Sequence, residues 1–430
     1  MKKSLFAVAA VTAFAGAAQA QSSVTVYGIL DVGYIGGNTT ASTSSPTAPA
    51  QAVTKKTGNQ FGQSAEQTSR LGFKGTEDLG GGTQALFTAE FTLNPSDATL
   101  TGNPASTSST GGSTVGGLQN RQTFVGLHKN GLGQFAVGTQ YTGIHNAAAA
   151  TDPGQLNNMM GNVIYAFSSG PAANAYNGAE GNTTAYTVRM ANALTVQSDA
   201  FSGFRVNGML VANNANSTVG TTGTTGGMSN TNGWGLGADY TWNKLYATAQ
   251  YQAFKQINSF QTGGAQPFNL AGAGLIAVTP TGQQSSAAGT ASTPLTQGQN
   301  IQDNQAYIAA TYDFGILKAY GQWITRKATA VYDTNQYVKR TAEQIGVRSF
   351  ITPTIEGWAS AGLGRYTSFG ANQPTANFNA WQLGSNYWLS KRTNLYAIYG
   401  ATTTSNYTTP SGVTASASGQ NYAVGVRHTF

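Results

Sequence analysis

Reactive side chains are scarce in this chain of 430 residues, and those present point to fixed charge rather than bond-making. Arg70, Gly72 and Lys74 alternate with Leu71 and Phe73, so in an extended segment the two cations share one face and the apolar pair the other. A row of such cations beside a water-filled space focuses an electrostatic field and sorts ions without making or breaking a bond. Nucleophilic or acid–base chemistry needs instead a nucleophile, a base and an orienting acid brought together. The three histidines, His128, His145 and His428, fall beside a short turn, at the start of a long connection and near the C-terminus, with no shared rim. No histidine and acid have metal-ligand spacing, and the absence of cysteine excludes thiolate chemistry and disulfides. No catalytic, metal or cofactor site is expected. The glycine run Gly233-Trp234-Gly235-Leu236-Gly237 is not a nucleotide loop, because no helix follows it to hold phosphate.

The elements that position these charges follow from composition. Residues 1–20 read as an export signal: Lys2 and Lys3, an apolar stretch from Leu5 to Ala18, then the small-x-small site Ala18-Gln19-Ala20. The remainder, 21–430, is expected to form one unit. Loss of the two lysines takes the formal net charge from +7 to +5, too mild and scattered an excess to suggest nucleic acid. Only 9% of residues are charged, against roughly 25% in ordinary soluble proteins. Beyond the signal there is still no apolar run of about 18 residues that could span a membrane as a helix. Lipid tolerates only helices or closed barrels, so a membrane-spanning form of this chain has to be a barrel.

Short alternating segments recur along the chain. Leu245, Ala247, Ala249, Tyr251 and Ala253 oppose Tyr246, Thr248, Gln250 and Gln252, for example. Sixteen strands are predicted, the first near 23–35, the second near 67–76 and the last near 420–430. Their connections alternate between short turns, such as Glu77-Asp78-Leu79-Gly80, and eight long Ser/Thr/Gly/Asn/Ala-rich loops centred near 50, 105, 163, 222, 280, 333, 372 and 411. A soluble sandwich also alternates, but it does not lengthen every second connection. This pattern predicts an all-β fold, a 16-stranded antiparallel transmembrane β-barrel with both termini on the short-turn side. Tyr141, Tyr240, Trp242, Tyr251, Tyr387, Trp388 and Tyr399 near strand ends fit an interfacial aromatic belt. A barrel this wide leaves a channel rather than a packed interior. By parity Arg205, Lys318 and Arg348 face inward as solvated wall charge, and Arg427 sits near the short-turn rim.

The terminal strand puts Tyr422, Val424, Val426, His428 and Phe430 on one face, which resembles the C-terminal insertion signal by which bacterial outer-membrane barrels engage their assembly machinery. Further segments resemble the neisserial-type general porins of β-proteobacteria. They are Ser23-Val24-Thr25-Val26-Tyr27-Gly28, the run from Ser69-Arg70-Leu71-Gly72 to Gly80-Gly81-Gly82, the run from Asn120-Arg121-Gln122 to Leu127, that from Leu389-Ser390-Lys391 to Ala397, and Gly425-Val426-Arg427-His428-Thr429-Phe430. The resemblance implies a homotrimer of sixteen-stranded barrels in the lipid bilayer, with an inward-folded third loop narrowing each pore for passive diffusion of ions and small hydrophilic solutes. It places Arg70 at a wall-arginine position, Arg121 at a second and Arg189 at a third. Alternation around Arg121 is imperfect, and a bulge there would reverse its direction. Gly138-Thr139-Gln140 stands where the family carries Gly-Arg-Gln, which removes one expected pore charge and weakens an expectation of anion preference. The third loop, 143–183, contains only Asp152 and Glu180 as acids, the negative partners available at the constriction. A substrate-selective channel would show a greasy aromatic ladder on the inner faces, and an adhesin or structural barrel would have no open lumen.

Overall fold

The computed structural model describes residues 23–45, 48–96, 118–166, 185–217, 227–258, 301–330, 337–368, 375–408 and 414–430. Strands β1 (Ser23–Ser45), β2 (Ala48–Gln63), β3 (Arg70–Gly80), β4 (Thr83–Thr92), β5 (Gln119–Lys129) and β6 (Gly133–Tyr141) lead to helix α1 (Gly143–Thr151). Then come β7 (Arg189–Ser198), β8 (Phe204–Ser217), β9 (Gly227–Trp242), β10 (Leu245–Asn258), β11 (Ile301–Asp313) and β12 (Lys318–Ala330). The chain finishes with β13 (Tyr337–Phe350), β14 (Ile355–Ser368), β15 (Thr375–Trp388), β16 (Thr393–Thr408) and β17 (Thr414–Thr429). Apart from β2 and β3, each strand pairs antiparallel with its sequence neighbours, and β1 closes the ring on β17, with Leu30 opposite His428 and Val32 opposite Val426. Both β2 and β3 pair with β1 and occupy one position between them, so the seventeen strands make a closed sixteen-stranded barrel.

Burial is inverted relative to a soluble protein. Leu236, Ile308, Ile345, Leu363 and Val424 are more than half exposed, while Gln250, Gln305, Gln344 and Gln382 on the opposite faces are buried. An apolar exterior of this extent is the surface a bilayer covers, and the alternation supplies it at every second residue. Closure of β1 on β17 removes the open sheet edge that a bilayer would not tolerate.

The interior face also carries a segment of chain. Thr142 caps α1 by accepting a hydrogen bond from the His145 backbone N–H at 3.3 Å. Ile144, Ala147 and Ala148 of the helix and Val163, Ile164 and Tyr165 beyond it are buried with Tyr307, Ala309, Ile324, Ala342 and Phe378 of the wall. Polar bonds fix the rest: the Met160 backbone N–H donates to Asn421 at 3.0 Å, and Asn157 Nδ2 donates to Gln382 Oε1 at 3.0 Å.

Two expectations need correction. The first long loop, centred near residue 50, is a β-hairpin: β1 runs to Ser45 and β2 returns from Ala48. The second strand, expected near 67–76, is interrupted instead, with β2 ending at Gln63 and β3 starting at Arg70. Most other strands also extend beyond their predicted limits at the long-connection end, as β8 does to Ser217 and β9 back to Gly227. Above the membrane a strand needs no apolar face, so its ladder continues through Ser/Thr/Asn-rich sequence in which periodicity is silent. At the interruption Ser64 has φ 61°, and backbone N–H groups that leave the ladder find other acceptors. Glu66 and Gln67 donate to Asp31 Oδ2 at 2.8 and 2.7 Å, and Ser69 to Ser64 Oγ at 2.9 Å.

Candidate functional site

The inner wall carries two groups of charge. In the first, Arg70 faces inward as its parity predicts, since Leu71 and Phe73 pair with the outward Gly28 and Val26. Its Nη1 lies 3.9 Å from Glu90 Oε1. Arg121 donates from Nε to the same oxygen at 2.7 Å and from Nη2 to Tyr141 Oη at 2.7 Å. Tyr27 donates to Glu90 Oε2 at 3.0 Å, and Lys74 stands 5.4 Å from the centre of the Tyr27 ring. Arg189 stacks over Tyr141 at 5.6 Å. The four cations expected from sequence therefore gather around one carboxylate and two phenols.

Two irregularities in the sheet bring them there. The β4–β5 register jumps from Glu90 opposite Gln122 to Phe91 opposite Asn120, so Arg121 is an extra residue turned away from the outward parity of Val125 and Leu127. The β6–β7 register jumps between Gly138 and Gln140, where Asn192 takes φ 53°, and Arg189 follows that shift. A bulge re-aims a side chain by adding one residue to one strand, which is its use beside functional sites.

The second group lies across the barrel, where it holds the interior segment. Arg326 and Arg340 stand directly opposite each other on β12 and β13. Arg326 chelates Asp303 with contacts of 2.6–3.1 Å, and both residues are buried. Arg340 donates to the Val163 carbonyl at 2.6 Å and packs on the Phe378 ring at 4.6 Å. Arg348 binds Glu356 through two contacts of 2.5 and 2.6 Å and donates to the Pro153 carbonyl at 2.7 Å. Between α1 and the inner faces of β5–β10 a polar cavity of about 410 Å³ stays open, with Arg205, Asp239, Tyr246 and Gln250 on its wall.

A model of the Gram-negative porin family matches residues 7–407. The chain is a Gram-negative porin. It is 34% identical over 212 residues to an outer membrane porin protein of Bordetella pertussis and 34% identical over 138 residues to the major outer membrane protein P.IB of Neisseria meningitidis serogroup B. Those stretches cover 48% and 32% of this chain, and 46% and 33% of the relatives, so the porin spans half or less of the curated relatives it matches. Among solved structures, an anion-selective porin from Comamonas acidovorans superposes with a TM-score of 0.59 at 21% identity, covering 95% of this chain and 100% of that one. The trimer form of OmpT from Vibrio cholerae gives 0.56 at 13% identity, covering 95% and 99%. At these identities the likeness is one of fold. Family and fold make this porin an integral β-barrel of the bacterial outer membrane.

Several positions in the porin differ from their sequence expectations. Arg348 is buried and paired with Glu356 rather than being solvated wall charge. Arg427 lies near the short-turn end as expected, opposite Asn394, and is buried there in a network, 3.5 Å from Glu66 and over Trp388 at 5.4 Å. Tyr141 and Trp388 face inward partners, Arg121 and His145 for one and Glu356 for the other, instead of joining an outer belt. Asp152 is buried at the end of α1, accepting from Leu156 N–H and Asn162 Nδ2 at 2.8 Å and from Gln344 Nε2 at 3.1 Å. Burial raises its carboxyl above the ordinary range, against those hydrogen bonds and Arg348. Glu180 lies outside the described residues. Tyr422, Val424, Val426, His428 and Phe430 line one outer face of β17 and the terminus, and Phe430 exchanges backbone hydrogen bonds with Gly28. Glu90 lies on a wall strand, β4, rather than in the third loop where the expected acids fall. Its even-numbered parity on β4, opposite Gly72, was the available signal.

His145 is enclosed by the rings of Tyr141, Tyr165 and Tyr186. Burial holds its pKa well below 6.5, helped by repulsion from Arg189, Arg121 and Arg70. Below that ordinary value the unfolded chain takes up a proton that the folded one refuses. Stability therefore falls as pH drops from about 6.5 towards the lowered folded value, by up to about 1.4 kcal/mol per pH unit. The difference in urea midpoint between wild type and His145→Gln, followed from pH 7 to pH 5, is expected to narrow as the solution is acidified. A constant difference would remove His145 from the pH response.

Proposed function

We propose that the protein forms a water-filled channel through which ions and small hydrophilic solutes diffuse passively, as a homotrimer exported by its 1–20 signal. The carrying observation is the inward cluster of Arg70, Lys74, Arg121 and Arg189 around Glu90, beside interior segment 143–166. The segment is bonded to the far wall by Arg340 and Arg348, which supports its role as the inward-folded loop that narrows the pore. Water threading between a cationic wall and this loop passes a transverse field, so the channel sorts solutes by charge while binding none tightly. Asp152 serves the constriction by fixing the loop, and Glu90 tempers the cationic wall from within the cluster. With four cations against one acid, the constriction favours anions. The Comamonas relative's description as anion-selective points the same way, while Thr139 in place of the family arginine tempers the preference. The trimer form of the Vibrio fold relative supports the assembly state. The terminal face Tyr422, Val424, Val426, His428 and Phe430 is read by the outer-membrane assembly machinery. The function needs no reaction and no cofactor.

Single-channel recording of the refolded chain in a planar bilayer tests this reading. Conductance inserting in steps of three, with a near-linear current and weak anion preference across a KCl gradient, is the expected result. Arg70→Ala is expected to move the reversal potential towards cations while leaving folding intact. A correctly folded barrel without conductance would overturn the channel.

A further inference from the structure

The glycine run of β9 shapes a recess on the pore side of the wall. Trp234 and Leu236 are exposed on the outer face, so Gly233, Gly235 and Gly237 take the inner one. A Cβ at Gly237 would collide with the side-chain amide of Gln250, which lies directly opposite on β10. A Cβ at Gly143 of α1 would come within 2.7 Å of Gln250 Oε1. Glycines on the wall and on the helix thus make room for one amide, which reaches across β9 to Asp239 at the edge of the cavity of about 410 Å³. At about 30 Å³ of liquid volume per water, that space takes roughly a dozen waters, or a small solute with part of its hydration.

Two opposite charges face this space near the short-turn rim. Arg205 is the second residue of β8 and Asp239 stands three residues before the end of β9, directly opposite it in register. Cross-strand neighbours of opposite sign ordinarily attract each other, yet among the described residues no ion pair joins these two. Asp239 is held towards β10 instead, its Oδ1 accepting from Tyr246 Oη at 3.0 Å and from Gln250 Nε2 at 3.3 Å. Both bonds engage one oxygen, which leaves Oδ2 for a further donor. Arg205 is exposed on the cavity wall. Tyr141, which accepts from Arg121, lines the same cavity, so the recess is continuous with the cationic cluster.

We propose that this recess is a transit site for small zwitterions, solutes that carry an ammonium and a carboxylate a few bonds apart. The carboxylate meets the Arg205 guanidinium and the ammonium meets Asp239 Oδ2. A simple anion gains Arg205 but is repelled by Asp239, and a simple cation meets the reverse, so a solute bearing both charges is the one that gains from both. Arg121 and its neighbours attract the same carboxylate at the cluster end of the cavity, so two cationic points mark its path. Exposed contacts of this kind are individually weak. That suits a pore, because occupancy rises without trapping the solute. The assignment rests on the channel reading and deepens it: the constriction selects by sign, and the recess selects among solutes whose net charge is zero.

Osmotic swelling of liposomes containing the refolded protein tests the site with alanine and its uncharged isomer lactamide, each corrected for protein-free liposomes. Alanine is expected to enter about two- to fivefold faster than lactamide, the worth of one or two exposed charge contacts. Arg205→Ala and Asp239→Asn are each expected to abolish that excess and leave lactamide entry unchanged, while moving the KCl reversal potential in opposite directions. Arg205→Lys, which keeps the cation, is expected to retain part of the excess. Equal entry of the two isomers through the wild-type protein, or an excess that survives Asp239→Asn, overturns the site and leaves the channel intact. Effects on alanine of opposite sign in the two charge-removing variants would reduce Arg205 and Asp239 to independent wall charges and overturn it as well. No entry of either isomer would overturn the channel reading and this site with it.

Discussion

Arg326→Ala is expected to lower the unfolding free energy of the barrel by about 3–5 kcal/mol, because it strands a charge that has no access to water. Asp303 is fully buried, and its two oxygens take three contacts from the one guanidinium. Removing the cation leaves the carboxylate either ionised in a site of low polarisability or protonated at a cost in proton affinity. The measurement is urea unfolding of the lipid-reconstituted protein followed by tryptophan fluorescence. The pair variant Asp303→Leu with Arg326→Met, which removes both charges, is expected to recover most of the loss, as apolar replacement of buried ion pairs does elsewhere. A single variant as stable as wild type would mean that water reaches Asp303. Arg340, directly opposite Arg326, would be expected to relax towards the vacated carboxylate, and its hold on Val163 would loosen with it.

Arg121→Ala is expected to produce the largest change in ion selectivity. The side chain neutralises Glu90 at 2.7 Å, so its loss subtracts one positive charge and also exposes a negative one. A field focused by low-dielectric walls changes local ion concentration by a factor of ten or more per few kT. The anion-to-cation permeability ratio should therefore fall on the order of several-fold to tenfold. Glu90→Gln is expected to move the reversal potential in the opposite direction. The two shifts measured across the same KCl gradient form a pair of opposite sign, and a same-sign result would remove Glu90 from the ion path. Both shifts should shrink at high salt, where screening lengths fall to a few ångströms.

How much of this could be read in the residues differs from element to element. The alternation of Leu245 to Ala253 against Thr248, Gln250 and Gln252 gives β10 its two faces without ambiguity, because lipid and water impose opposite demands on neighbouring residues. The hairpin of β1 and β2 beyond the membrane is invisible to the same logic, since no solvent boundary marks its faces. Arg70 is legible because the ladder that follows it alternates without a break against β1 and β4 from Arg70 to Thr76. Arg121 and Arg189 are not, since each lies beside a register jump, and parity carries no information across an inserted residue. Asp152 and Glu90 reverse a simple expectation: the loop acid is spent on the loop's own backbone, and a wall acid serves the cations. Loop sequence alone does not distinguish an acid that faces water from one that closes a helix end.

The extra residue at Arg121 has a consequence for how such pores diversify. The direction of that guanidinium depends on a count of residues rather than on their kind. Deleting Arg121 would restore the regular β4–β5 ladder and remove the charge while keeping Glu90 opposite Gln122 and Phe91 opposite Asn120. Length change within a strand, ordinarily ruinous to a sheet, is here a single step between pores of different ionic preference.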